Sequence, residues 1–257
     1  MGLKTSAAVI IASAIACLPT HAAVEQREPK EISFSFNGVF GTFDRAALQR
    51  GYQVYKEVCS NCHSMKLVAF RNLAEPGGPG FSEAQAKELA KQYKYPDFDD
   101  AGQPTERAGT LADHFPSPFP NEKAAKASNN GAAPPDLSLM AKAREYGPRY
   151  IYSLLTGYGE TPPAHHDVPE GLNYNPYFPT GNIAMPPPLS DGQVTFSDGT
   201  PSNVPQMAKD VATFLMWTAE PHLEERHEMG VKVMIYLGIT TGLLFFAYRK
   251  MWSKIDH

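Results

Sequence analysis

Apolar positions recur on one helical face downstream of Asp44. Leu48, Tyr52, Tyr55 and Cys59 follow one another at spacings of four, three and four, with Asp44 ahead of them as an N-cap. The pattern predicts an amphipathic helix with Cys59 near its end. A second helix is predicted to start at Ser202 or Asn203, to carry Pro205 in its first turn, and to turn Met207, Val211, Phe214, Leu215 and Thr218 towards a core before Glu220-Pro221 stops it. A third, Leu139 to Leu155, is interrupted at Gly147-Pro148. Much of the chain's proline lies between Glu75 and Pro205. Stretches such as EPGGPG, HFPSPFP and ETPPAHHDVPEG cannot be continuous helix or central strand, because proline lacks the amide donor and fixes φ. Long ordered loops are expected there. With no strand periodicity and no internal repeat, the expectation is a mainly α domain with long loop insertions.

The two ends carry different patterns. Lys4, the apolar run Ala7 to Leu18, and small residues at Thr20, Ala22 and Ala23 read as a secretory signal over residues 1–23, cleaved after Ala22 or Ala23. Lipid attachment at Cys17 is the weaker reading, since Ala14, Ile15 and Ala16 approach such a site poorly. Val233 to Tyr248 contains no charge, and with Met229 to Lys232 and Met251 to Trp252 it reaches the roughly 20 residues that a spanning helix needs at 1.5 Å each. Glu224, Glu225 and Glu228 precede the run, whereas Arg249, Lys250 and Lys254 follow it. Positive flanks stay in the cytoplasm. The expected organisation is an exported domain over residues 24–221 and an anchor over 222–257, spanning about 230–249 with a short cytoplasmic tail. The expected placement is a single pass through a bacterial cytoplasmic membrane with the bulk in the periplasm.

The formal net charge of −4 makes nucleic acid an improbable partner. Asp97, Asp99, Asp100, Glu160, Asp167 and Glu170 are instead candidates for a face that attracts a basic soluble protein, with ordinary solvated loops as the alternative.

The chemistry sits in EVCSNCHSMK, Glu57 to Lys66. The chain has three cysteines, and once the signal is gone only Cys59 and Cys62 remain, too few for a disulfide framework. A structural zinc site would need two further ligands, and neither His222 with His227 nor His165-His166 gives a recognisable spacing. A redox dithiol belongs at a strand-to-helix turn, yet here a helix precedes the motif. A disulfide across so short a loop leaves His63 unexplained. Attachment of one covalent haem c uses every residue: two thiols one turn apart add to two vinyl groups, and the adjacent His63 imidazole falls under the iron. A large apolar disc would also serve as the centre of a loop-rich domain.

Electron transfer requires a second axial ligand, commonly thioether or imidazole. Met65 is too close to His63 to reach the opposite face, and Met207 and Met216 suit core packing. Met185 leads because Pro186, Pro187 and Pro188 stiffen the chain after it. Met140 and the pair His165-His166 stay open on spacing alone.

CSNCHSMK, NNGAAPPDLSLMAKAR, YIYSLLTGYGE, GLNYNPYFP, IAMPPPL and DVATFLMWTAEP, followed by a tail anchor, resemble the cytochrome c1 family, the haem subunit of the cytochrome bc1 complex (ubiquinol:cytochrome c oxidoreductase). The resemblance implies a c-type cytochrome fold with one C-terminal transmembrane helix. It makes Met185 the axial partner of His63, brings Arg144 and Tyr150 to the haem propionates, and lines the pocket with Asn129 and Pro135. It also implies cytochrome b and a Rieske iron-sulfur protein as partners in a dimeric complex, cytochrome c as acceptor, and membrane lipid around the anchor. The chain itself would make and break no bond in turnover, and no residue is assigned a catalytic role. A free-standing membrane-anchored shuttle, or a haem peroxidase or gas sensor with an open sixth position, are the rival readings.

Overall fold

A computed structural model describes residues 26–253. The expected signal over 1–23, Cys17, and the flanking Lys254 lie outside the described residues.

In chain order the helices and strands are α1 (Arg45–Glu57), α2 (Glu83–Lys91), β1 (Lys94–Phe98), β2 (Pro104–Ala108), α3 (Glu122–Ser128), α4 (Met140–Ala143), α5 (Pro148–Leu155), β3 (Asn173–Tyr174), β4 (Asn182–Ile183), α6 (Val204–Ala219) and α7 (Leu223–Trp252). β1 pairs antiparallel with β2, and β3 with β4, each as a two-stranded sheet. The protein is mainly helical, and its small sheets only pin loops.

α1 starts where the pattern places it. The Asp44 carboxylate accepts from the Ala46 and Ala47 amides, offsetting donors that a helix start leaves unpaired. Leu48, Tyr52 and Tyr55 are buried along its inner face. α6 opens likewise, with the Asn203 side chain accepting from Gln206 and Pro205 in the first turn. It ends at Ala219, ahead of Glu220-Pro221. The expected break at Gly147-Pro148 separates α4 from α5.

α1 and α6 cross at Gly51. A Cβ there would lie 2.2 Å from the Asp210 carbonyl oxygen and 2.7 Å from the Phe214 Cβ, so only glycine permits the approach. Beside the crossing, Arg50 forks onto buried Asp210, with Nε 2.7 Å and Nη2 3.1 Å from its two oxygens, and extends Nη1 to Asp198 at 2.7 Å. Burial pushes the Asp210 carboxyl up, and the Arg50 guanidinium opposes that shift. Tyr52, Tyr55, Phe70, Phe115 and Phe214 form an aromatic cluster at centroid separations of 4.8–6.0 Å. Met207 and Met216 are buried in this core.

The excursion from Glu75 to Asn129 holds more regular structure than the expected loops. α2 and α3 lie in it, as does the β1–β2 hairpin, which the sequence conceals because no residue of KYPDF or PTERA is fully buried and the half-buried face of β1 holds Tyr95 and the polar Asp97. Two strands leave free edges, so Pro96 and Pro104 fit without breaking a ladder. Asp99 closes the turn by accepting from the Ala101 and Gln103 amides at 2.9 and 2.8 Å. Bidentate Arg107–Asp113 contacts at 2.6 and 2.7 Å fasten the hairpin to the following loop. Asp97 pairs with Arg107 at 3.5 Å and Glu160 with Arg27 at 2.8 Å, so three of the six acidic candidates are already engaged locally.

α7 runs for 30 residues, about 45 Å at 1.5 Å per residue. Its apolar side chains face outward: Met234, Tyr236, Leu243 and Phe246 are each 66–69% exposed. Among the described residues it is the helix long and apolar enough to cross a membrane, and none of those residues covers its apolar stretch. That separates it from a core helix of a soluble domain.

Gly51→Ala reverses the usual helix ranking. Alanine in an open helix stabilises by about 1 kcal/mol over glycine, whereas at this crossing the added methyl forces α1 from α6 at a cost of about 1–3 kcal/mol or more. Chemical denaturation monitored by far-UV circular dichroism should therefore show a lower midpoint for the variant; an equal or higher one would mean that the crossing is loose.

Candidate functional site

α1 ends at Glu57 and gives way to a single 3₁₀ turn, Cys59–Asn61. The Cys59 carbonyl accepts from both the Cys62 amide (3.1 Å) and the His63 amide (2.8 Å), which winds the two thiols and the imidazole onto one turn. Cys59 is half-buried against the core and Cys62 is exposed. Burial, reinforced by the neighbouring Cys62, pushes the Cys59 thiol up to about 12, so it stays protonated at neutral pH.

The next residues are stitched to the segment Pro135–Ser138. His63 Nδ1 lies 2.8 Å from the Pro135 carbonyl oxygen. An oxygen acceptor there assigns the proton to Nδ1 and leaves the Nε2 lone pair free. Burial lowers the His63 pKa and the Pro135 hydrogen bond works against it; the net shift is downward, favouring the neutral ring. Below that contact, Leu137 N–H donates to the Ser64 carbonyl (2.8 Å), Ser64 Oγ and the Lys66 amide donate to Asp136 Oδ2 (2.8 and 2.9 Å), and the Leu67 amide donates to Ser138 Oγ (3.1 Å). Burial alone would raise the Asp136 carboxyl, yet the bonds from Ser138, Lys66 and Ser64 outweigh it and hold its pKa below the ordinary value. Asp136 therefore acts as a fixed anionic staple.

Met185 belongs to a second assembly. It follows β4, whose pairing with β3 sets Tyr174 opposite Asn182. Its carbonyl accepts from Tyr158 Oη at 3.0 Å and Asn173 Nδ2 at 3.4 Å, so the backbone is held from two sides before Pro186 begins the stiff run. Burial raises the Tyr158 hydroxyl pKa far above neutrality, keeping it a donor. Tyr150, buried on α5, lies close enough to Tyr158 to act on it electrostatically. Burial raises the Tyr150 pKa, while Arg144 opposes this through its charge and a side-chain hydrogen bond.

Other candidates are placed differently. Asn129 turns its amide N–H back to the Ala125 carbonyl (2.7 Å) and closes α3. His166 Nε2 lies 2.8 Å from Asn182 Oδ1 with its ring 5.1 Å from Tyr174, which commits it to holding the β3–β4 loop. Met140 starts α4 and packs against the core. A cavity of about 360 Å³ lined by Tyr52, Tyr55, Tyr93 and Phe115 opens beside Ser60 and Asn61, but neither His63 nor Met185 borders it.

The donor set fits a covalently attached haem. It comprises two unpaired thiols on one turn, an imidazole with its outer nitrogen already hydrogen-bonded, and a thioether on a braced loop. The pattern reading did not find Asp136, Ser138, Tyr158 and Asn173. The signal for the first two is the Asp-x-Ser spacing after Pro134-Pro135, which favours an Asx turn; the Asp136 carboxylate indeed accepts from the Ser138 amide at 2.9 Å.

The sequence matches the Cytochrome C1 family over residues 34–255. The chain belongs to the cytochrome c1 family. Among members, cytochrome b/c1 of Bradyrhizobium diazoefficiens is 52% identical over 245 residues, covering 88% of this chain and 36% of that protein. The protein named "Cytochrome c1, heme protein, mitochondrial" of Kluyveromyces lactis is 49% identical over 223 residues, covering 86% and 75%. Cytochrome c1 of Rhodospirillum rubrum is 48% identical over 240 residues, covering 87% of each chain. This chain therefore spans about a third of the Bradyrhizobium relative and most of the other two. The cytochrome c1 match takes in both the Cys59–His63 turn and the Met185 loop, and extends into α7.

Tyr158→Phe removes one donor from the Met185 carbonyl and should cost about 1 kcal/mol of stability. Asp136→Ala strips three donors of their acceptor and should cost about 1–3 kcal/mol. Urea unfolding of each variant measures both; equal stability of Asp136→Ala and parent would show that the seam carries no weight.

Proposed function

We propose that this chain is the haem-bearing subunit of a membrane-bound ubiquinol:cytochrome c oxidoreductase, receiving single electrons from a Rieske iron-sulfur protein and passing them to a cytochrome c. Bound haem supplies one-electron chemistry, cycling between Fe(III) and Fe(II). Cys59 and Cys62 would hold it as thioethers, by addition of each S–H across a vinyl group, which needs no oxidant. His63 presents Nε2 to the metal while its Nδ1–H stays on the Pro135 carbonyl, which fixes the tautomer and strengthens the ligand. Met185 would offer its thioether as the further ligand, a soft donor that favours Fe(II). Arg144 and Tyr150 pair with the haem propionates; a guanidinium suits a carboxylate bidentately. Asn129 and Pro135 line the pocket.

The single observation that carries this reading is the Cys59–His63 turn with His63 already oriented by Pro135. The choice of Met185 over its rivals is supported by the two hydrogen bonds that brace its carbonyl, by the engagement of His166 with Asn182, and by the packing of Met140. The names of the relatives add support, one being called a heme protein and another cytochrome b/c1. The placement is a single-pass anchor, α7, spanning about 230–249, with the haem domain over 24–221 in the periplasm after cleavage of residues 1–23, and a short tail in the cytoplasm. The partners are cytochrome b, the Rieske protein, cytochrome c and lipid, in a dimeric complex.

Met185→Leu should lower the haem midpoint potential by about 100 mV or more; at 59 mV per tenfold this is a loss of at least about 2 kcal/mol of preference for Fe(II). Redox titration checks it. An unchanged midpoint would move the ligand to Met140 or a histidine. Extraction in mild detergent tests the assembly: a b-type haem and an iron-sulfur protein should accompany the chain, and their absence would make it a free-standing shuttle.

A further inference from the structure

The segment Phe34–Phe43 folds back on itself ahead of α1. Asn37 N–H donates to the Phe34 carbonyl (3.1 Å), Gly41 N–H to Gly38 (3.2 Å) and Thr42 N–H to Ser35 (3.2 Å). Gly38 takes φ +82°, and a Cβ on Gly41 would strike the Phe36 carbonyl at 2.3 Å, so the reversal is tight and depends on glycine. Its base is packed into the core: Phe34, Phe36 and Phe43 are buried, with Phe34 stacked on Phe36 at 5.0 Å and Phe43 tilted against Phe36 at 5.1 Å. Its tip is not covered. Phe40 is 83% exposed and Val39 64%, two neighbouring apolar side chains held outward by a turn that cannot fold them in.

The position of this turn along α7 is fixed by three contacts. Phe43 N–H donates to Glu224 Oε1 (2.7 Å), Arg45 Nη2 lies 2.6 Å from Glu224 Oε2, and His227 Nδ1 lies 3.1 Å from the Gly41 carbonyl. His227 precedes the uncharged run at Val233 by six residues, about 9 Å of helix. The turn therefore docks on the last stretch of α7 before the apolar segment, at the depth of headgroups and upper acyl chains when α7 spans a bilayer. An exposed Phe-Val pair there has a natural apolar solvent.

We infer that Val39 and Phe40 form a second membrane contact, inserting into the lipid interface beside α7 and fixing the tilt of the domain over the bilayer. The Gly41 carbonyl that follows the tip meets His227, and two residues further along α7 the exposed apolar side chains begin with Met229, 59% exposed. The inference rests on α7 being the membrane anchor, as proposed above.

The test replaces Phe40 with photoreactive benzoylphenylalanine in the full chain, irradiates native membranes, and weighs the adducts by mass spectrometry, with the same replacement at Tyr236 as reference. Both positions lie outside the core, so the fold tolerates the probe; Val39 gives an independent repeat. Lipid adducts at 40 and at 236 are expected. Lipid at 236 with only polypeptide adducts, or none, at 40 would overturn the inference while leaving the anchor intact. Loss of lipid adducts at 236 would overturn the membrane reading itself and the interfacial tip with it.

Discussion

A single hydrogen bond, from His63 Nδ1 to the Pro135 carbonyl oxygen, decides which imidazole nitrogen is left to act as a ligand. The chain spends considerable structure on keeping it. Pro135 cannot drift, because Asp136, Leu137 and Ser138 are bonded one after another to Ser64, Lys66 and Leu67. His63 cannot drift either, because its amide and that of Cys62 share the Cys59 carbonyl at the end of α1. α1 is in turn held by Gly51 against α6 and by the Arg50–Asp210 fork. Each level fixes the one above it, from helix crossing to turn to tautomer.

The Met185 side is built by other means. No long element supports it; a two-residue ladder, the Tyr158 hydroxyl and the Asn173 amide hold one carbonyl, and the three prolines beyond it stiffen the backbone. Two assemblies with independent supports can face a common group and be brought together by it, since a large apolar cofactor fills the space that side chains would fill in a smaller core. Such a group would account for an ordered domain of modest secondary structure in a chain with 23 prolines. α7 joins the head at its start, through Leu223 buried in the core and polar contacts at Glu224 and His227, while the apolar side chains further along it stay exposed.

The helices that position the site were legible because they obey local rules. Asp44, Asn203 and Pro205 announce helix starts, Gly147-Pro148 and Glu220-Pro221 announce breaks, and the 3.6 period marks the buried faces of α1 and α6. The β1–β2 hairpin was not, because its half-buried face carries Tyr95 beside polar Asp97 and so gives no apolar alternation to read; its order comes from Asp99 and from the Arg107–Asp113 clasp, which are contacts made after the chain has folded. At the site, Cys59, Cys62 and His63 speak through their spacing. Tyr158 and Asn173 do not, since they act on a backbone carbonyl 27 and 12 residues away, and nothing in a tyrosine or an asparagine says which carbonyl it will meet. Asn129 shows the converse: placed in the pocket by resemblance, it spends one amide donor on its own helix end.

The most direct measurement is whether pigment stays with the polypeptide when the fold is destroyed. After acid-acetone extraction, the haem should remain on the protein, and the pyridine haemochrome of the residue should have the spectrum of a haem whose two vinyl groups are saturated. Pigment that passes into the solvent, with vinyl groups intact, would contradict attachment at Cys59 and Cys62 and remove the basis for the ligand arrangement built around them.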